Sequence, residues 1–268
     1  MKPYREVSFP KTRIATLDAL EIGRKKHHIK ALLELDVTNA RSLIKRYRAA
    51  TNNKLSFTAW LIKTISATLE EFQTAHAYLK SKKKVAIFDD IDISITVESK
   101  YEGELVPLPY VVRQTNKKDM AEINNEIQNA KNQEVTKNDV VLGQRKNKFA
   151  TSLYYALPGI LRRIVWKYIL SHPKVANKNM GSVIITSVGM MGKVNGWFIY
   201  TSIHPISFGV SSIIKKPGVV NDKIEIREYL NMTVLMDHDV IDGAPMARFI
   251  ARLADNIESG LGLADYKI

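Results

Sequence analysis

The chain has 268 residues, 45% of them hydrophobic, with 40 Lys and Arg against 27 Asp and Glu for a formal charge of +13. That length accommodates one large domain or two small ones, with roughly 70–75% of the unfolded surface buried. The absence of cysteine excludes disulfides, thiolate metal sites and a cysteine nucleophile.

A basic balance favours polyanions such as nucleic acid, membrane phosphate or phosphate-bearing small molecules, and equally fits a solvated Lys-rich surface. The opening MKPYREVSFPKTR lacks the apolar run of a signal peptide. A cytoplasmic location is therefore expected. Residues 1–11 read as an extended arm, and Thr12 to Leu20 as a weak helix closed by Gly23 and the cluster Arg24 to His28. Ile29, Ala31, Leu33, Leu35 and Val37 alternate with polar residues and predict a half-buried strand. Asp36 or Thr38 can cap the helix that follows, with Ala40, Leu43, Ile44 and Tyr47 on one face. Asn52-Asn53 reads as a turn. Ser56 or Thr58 opens a helix whose face is Trp60, Leu61, Ile65, Leu69 and Phe72.

Tyr78 to Lys84 reads as a basic loop. Ile91 to Val97 alternates strictly and is the cleanest strand, turning at Tyr101 to Glu104 into Leu105 to Val112. Pro107 and Pro109 place that return strand at an edge. Asn116 is the expected cap of a helix carrying Met120, Ile123, Ile127 and Ala130. Asn132 to Lys148 is polar and reads as loop or helix extension. Leu153 to Leu170 is an apolar helical segment, too charged at Arg162, Arg163 and Lys167 to span a membrane but able to lie on one. Val183 to Ile185 is a short buried strand, punctuated by Gly189-Met190-Met191-Gly192. Phe208 to Ile214 and Ile224 to Tyr229 are strands joined at Lys-Pro-Gly. The last strand alternates Leu230, Met232, Val234 and Met236 and ends at Asp237-His238-Asp239-Val240-Ile241-Asp242-Gly243. A helix with Ala247, Ile250, Ala251, Ala254 and Ile257 follows. With no repeat or composition break, residues 1–268 are expected to form one domain of interleaved strands and helices.

Histidine is the side chain suited to accept and return a proton at working pH, which makes His238 at this junction a candidate base, although a strand-end histidine is also a common structural feature. Asp237, Asp239 and Asp242 surround it. Strand alternation sends Asp237 and Asp239 away from His238, and no second His lies nearby in sequence, so no metal site is expected. Thr186 and Ser187 end a buried strand, where a hydroxyl can donate to an oxyanion or satisfy a backbone group.

His238-Asp239-Val240-Ile241-Asp242-Gly243-Ala244 resembles the His-x-x-x-Asp-Gly motif of the chloramphenicol acetyltransferase and dihydrolipoyl acyltransferase superfamily. Ile184 to Gly192 is similar to that superfamily's Thr-Ile-Ser-Asn-Leu-Gly-Met-Phe-Gly segment. Leu105-Val106-Pro107 through Ile123, His28 through Thr38, and Phe57 to Leu69 fall in the same order. The resemblance implies an α/β (α+β) fold of the chloramphenicol acetyltransferase type, a mixed sheet with helices packed on it in two layers, and a homotrimer. It implies an acyltransferase that moves an acyl group between a thioester and an acceptor. Coenzyme A or a lipoyl group is the acyl carrier, and a separate lipoylated protein is a partner. On this resemblance His238 is the general base and Thr186 supplies the oxyanion hydroxyl from a neighbouring subunit, with Ser187 as fallback. Asp242 braces the loop through Arg13, and Gly243 closes the motif. No lipoyl domain, specific nucleic-acid partner or transmembrane segment is expected. The alternative is a non-catalytic trimeric scaffold or binding protein of the same fold. Phe149 to Lys178 departs from the multienzyme cores and resembles stand-alone members.

Overall fold

The computed structural model describes residues 4–7, 9, 12–51, 55–101, 104–133, 148–189 and 194–264. The elements in chain order are α1 (Thr12–Gly23), β1 (His28–Asp36), α2 (Thr38–Thr51), α3 (Phe57–Glu71), β2 (Tyr78–Ser81), β3 (Lys84–Ala86), β4 (Ile93–Tyr101) and β5 (Glu104–Val112). They continue with α4 (Met120–Lys131), α5 (Lys148–Ala156), α6 (Gly159–Ser171), α7 (Pro173–Met180), β6 (Val183–Ser187), β7 (Ile206–Val220), β8 (Lys223–Asp237) and α8 (Gly243–Ser259).

Six strands form one mixed sheet in the order β1-β8-β7-β6-β4-β5. β6 runs parallel to both neighbours, and every other pairing is antiparallel. The alternation read from the sequence decides which face is covered. Ile93, Ile95, Val183, Ile185, Ile206, Phe208, Met232 and Val234 are buried beneath helices, against Trp60, Ile65, Leu69, Ile123 and Phe249. α3 packs on α4 and α8, and α2 on α8, giving a sheet with one helical layer. The proline-bearing β5 lies at the sheet edge, where a missing backbone donor costs least. No helix among the described residues is long and apolar enough to cross a membrane.

Five local expectations are corrected. Tyr78 to Lys84 is not a plain loop: β2 and β3 form a small antiparallel hairpin. Asn116 does not cap α4, because its Oδ1 accepts from the Ile91 N–H at 3.1 Å. Asp119 caps instead, and its reciprocal bonds with Glu122, both 2.8 Å, satisfy two donors that a helix end leaves free. The apolar segment Leu153 to Leu170 breaks at Pro158 into α5 and α6. Lys216-Pro217-Gly218 lies inside β7, and the hairpin turns at Asn221-Asp222, both with positive φ (49° and 60°). Asn and Asp tolerate that conformation in a two-residue turn whose twist matches the strands. β7 leaves β6 after Val210 and β8 leaves β1 before Tyr229. Pro217 therefore sits in a two-stranded ribbon, where it needs no second partner. Finally, α8 buries Met246, Phe249, Leu253 and Ile257 rather than the alanine face, leaving Ala247 and Ala251 exposed. Phe and Leu withdraw more apolar surface from water than Ala does, and they set the helix's rotation.

The expected turns at Asn52-Asn53 and Glu102-Gly103, most of the polar stretch 132–148, and Met190 to Gly192 lie outside the described residues.

Phe249 is fully buried and meets Phe72 edge-on at 5.8 Å between ring centroids. Phe249→Ala is expected to cost about 3–5 kcal/mol. A urea titration should show a lowered midpoint with unchanged slope.

Candidate active site

β8 ends at Asp237, and β1 begins at His28 directly opposite it in the antiparallel register. The residue after the strand, His238, donates its backbone N–H to the His27 carbonyl at 3.0 Å. That bond continues the ladder one step beyond the sheet and fixes where the imidazole projects. The side chain is 45% exposed, so it is anchored by its backbone yet open to a ligand.

The aspartates on either side are held in turn. Asp237 is 2% exposed and receives the Lys26 ammonium at 2.5 Å. Asp239 takes a 2.8 Å bond with His27 Nδ1, and this partner raises the pKa of His27. Strand alternation thus turns Asp237 inward, away from His238, as the sequence suggests. Asp237 also closes the turn: its carbonyl accepts from Val240 and Ile241 at 3.0 and 3.3 Å. Buried Ile241 pins the loop to the core.

Asp242 occupies the N-cap position of α8, and its carbonyl accepts from Met246 at 3.1 Å. Its carboxylate is 91% exposed and approaches His238 Nδ1 only to 4.0 Å, beyond hydrogen-bonding range. Arg13 lies exposed on α1, and no bond joins it to Asp242 among the described residues. Gly243 is the first residue of α8, and a Cβ there would meet nothing within 4 Å. The clamps on this loop are therefore Lys26 and His27, which composition and spacing did not reveal. Their only sequence signal was a basic cluster after α1. Its assignment to Asp237 and Asp239 needs the β1–β8 register, which is a long-range fact.

The floor beneath the loop is a second histidine pair. His28 Nε2 bonds the His204 carbonyl at 2.9 Å, and His204 Nε2 bonds the Met180 carbonyl at 3.1 Å. The Pro205 carbonyl accepts the Asp237 N–H at 3.0 Å. Burial pushes His204 down to about 4, opposed by its backbone bond to Met180, and burial likewise lowers His28.

Thr186 and Ser187 end β6 but face opposite ways. Ile185 and Ser187 turn toward the helices, where Ser187 lines a groove of about 910 Å³ with Thr38, Arg41, Lys45, Arg48 and Ser211. Thr186, one residue off, points to the face the helices leave uncovered. Ser211 and Ser212 form a bulge where two residues of β7 face one of β8, and the Ser211 hydroxyl is buried without a described partner. Gly189 packs on this bulge so closely that a Cβ would lie 2.2 Å from the Ser211 carbonyl oxygen.

One chain does not bring Thr186 to His238. Thr186 aligns with Gly209 on β7, which aligns with Thr233 on β8. His238 is five residues farther along and two strands across, so the two are roughly 20 Å apart.

Because His204 is held neutral, the unfolded chain takes up a proton below about pH 6.5 that the folded chain refuses until about pH 4. Its stability contribution is therefore complete above pH 6.5 and falls as the pH drops. His76, buried against Ser182 and also lowered to about 4 by burial, acts in the same direction. Urea midpoints should decrease from pH 7.5 to pH 5, and His204→Gln should flatten part of that decrease.

Residues 1–141 and 173–263 match the family model of the 2-oxoacid dehydrogenases acyltransferase catalytic domain. The succinyltransferase component of the Bos taurus mitochondrial 2-oxoglutarate dehydrogenase complex is 23% identical over 84% of this chain and 42% of its own length. The Staphylococcus epidermidis counterpart is 25% identical over 95% of this chain and 53% of its own. The chain thus spans about half the length of the curated relatives it matches. Among solved structures, a probable dihydrolipoamide acetyltransferase from Listeria monocytogenes superposes with a TM-score of 0.67 at 19% identity, covering 97% of each chain. The cubic core of a pyruvate dehydrogenase complex gives 0.69 at 18%, covering 98% of this chain and 94% of that one. A third structure, a dihydrolipoamide acetyltransferase from Azotobacter vinelandii, also gives 0.69 at 19% identity. It comes from work on a Ser, a His and an Asn in that enzyme's catalytic mechanism. The fold, the order of its elements and the family match together place this chain in the family of 2-oxoacid dehydrogenase acyltransferase catalytic domains.

Proposed function

We propose that the chain transfers an acyl group between a thioester and a thiol or other acceptor, with His238 as general base. The observation that carries this reading is the placement of His238. Its backbone is fixed by the β1–β8 ladder, both flanking aspartates are committed to other partners, and its imidazole is open to solvent. A base must be both positioned and reachable, and this loop supplies both conditions.

In the reaction the imidazole takes the proton of the attacking thiol, and the sulfur adds to the thioester carbonyl carbon. The carbonyl oxygen gains negative charge, and a Thr186 hydroxyl donates a hydrogen bond to it. The intermediate collapses by breaking the bond to the departing sulfur, which receives the proton back from the imidazolium. The carbonyl is regenerated and no net proton is consumed.

The separation of about 20 Å within one chain requires the hydroxyl to come from another copy. That supports a homotrimer with its sites between subunits. The groove beside Ser187 carries Arg41, Lys45 and Arg48 from α2, with Arg41 partly neutralised by Glu228 at 3.3 Å. These cations suit a phosphate-bearing carrier such as coenzyme A, with a lipoyl group on a separate protein as the other thiol. The similarity to an acetyltransferase studied for the mechanistic roles of a Ser, a His and an Asn supports a His and a hydroxyl in these roles, with Thr186 in place of a Ser here. Asp242 here stands at the N-cap position of α8, its carboxylate exposed and not hydrogen-bonded to His238, and it is not assigned a relay role.

His238→Ala should lower kcat by about 10²–10⁴ with little change in KM, the loss expected on removing a general base. Transfer from acetyl-CoA and succinyl-CoA to dihydrolipoamide, followed by thioester absorbance, measures this. Unchanged turnover would remove His238 from the mechanism.

A further inference from the structure

The segment that the family match passes over, residues 142–172, contains α5 and α6. α6 is built inside out relative to a helix that covers a core. It has no buried residue. Its inward side carries Arg162, which meets the buried Asp18 of α1 at 2.7 Å, while at the exposed rim Arg163 meets Glu21 at 3.0 Å. The same Asp18 accepts from Tyr154 of α5 at 2.7 Å, and Trp166 donates to that Tyr hydroxyl at 2.9 Å. The outward side is apolar: Ile160, Leu161, Ile164, Val165 and Tyr168 are each between 37% and 66% exposed. Their spacing of one, three and four residues makes a continuous stripe along the helix.

α6 packs against β2, the first strand of the small hairpin. That hairpin presents Lys80, Lys82, Lys83 and Lys84, all exposed and none ion-paired to a described residue. On either side of the lysines it exposes Leu79 and Val85 as well. From Lys148 to Ser171 the sequence contains no acidic residue. An outward apolar stripe thus adjoins a dense, unneutralised positive patch.

We infer that α6 and the β2–β3 hairpin form one face that docks on an anionic phospholipid surface. The stripe enters the interface between headgroups and acyl chains, and the lysines lie against the phosphates. The charge of the patch matches an anionic surface, whereas a second copy of this chain, itself net +13, offers no general excess of negative charge to it. The segment also lies outside the residues that match the family model. The inference is independent of the acyl-transfer reading, since none of these residues belongs to the site around His238.

The full chain should float with vesicles containing phosphatidylglycerol in phosphatidylcholine, and bind pure phosphatidylcholine vesicles much less. Ile164→Glu combined with Tyr168→Glu should lower partition into the anionic vesicles by about tenfold or more. Both side chains are exposed, and circular dichroism checks that the fold is kept. Lys82→Glu with Lys83→Glu should abolish the preference for anionic lipid. Absence of binding to the anionic vesicles would overturn the inference, as would binding that the α6 pair leaves unchanged. It is also overturned if cross-linking places Ile164 at a contact between copies of the chain in solution.

Discussion

The ion pair between Lys26 and the buried carboxylate of Asp237 is the constraint on which the site depends. A carboxylate that is 2% exposed is costly to leave unpaired, and this one has a lysine at 2.5 Å. The pair joins the end of β8 to the segment before β1, across 211 residues of sequence. It holds together the two elements whose register places the His238 N–H against the His27 carbonyl. Removing the lysine would strand a buried charge beneath the loop. The penalty would fall on the position of the histidine as well as on the fold. Below the pair, the neutral histidines 28 and 204 bind backbone carbonyls and contribute no competing charge.

The same sheet that fixes His238 separates it from Thr186. β6 is parallel to β7 and β8 antiparallel to it, so β6 and β8 finish at opposite ends of the sheet along the strand direction. Under the proposed pairing of His238 with Thr186, this strand order calls for the two side chains to come from different copies. Thr186 suits such a site because alternation directs it to the uncovered face. Ser187 does not, because it faces α2 and α3.

Much of this was legible in the chain itself. Strict alternation gave β4 and the buried half of β8, the proline pair put β5 at an edge, and the motif around His238 marked the strand-to-helix junction that forms the candidate site. What escaped was set by competition or by distance. The rotation of α8 followed side-chain size, with Phe249 and Leu253 displacing a more regular alanine stripe. The β7–β8 turn followed the tolerance of Asn221 and Asp222 for positive φ, against the familiar turn signal of Pro217-Gly218. The cap of α4 went to Asp119 because Asn116 was engaged by Ile91. The clamps at Lys26 and His27 depend on a strand pairing between distant segments, and the sequence shows there only an undirected cluster of positive charge. The pairing of Asp242 with Arg13, implied by resemblance, is not among the described bonds, and the loop is braced by Lys26 and His27, just before β1.

The central claim is that His238 of one copy works with Thr186 of another, and complementation tests it most directly. His238→Ala and Thr186→Val, each inactive alone, would be co-expressed and the mixed assemblies purified and assayed for acyl transfer. If the site lies between subunits of a trimer, each mixed trimer regains one intact site, and random mixing restores about a quarter of wild-type activity. Activity no greater than that of the separate variants would contradict the account.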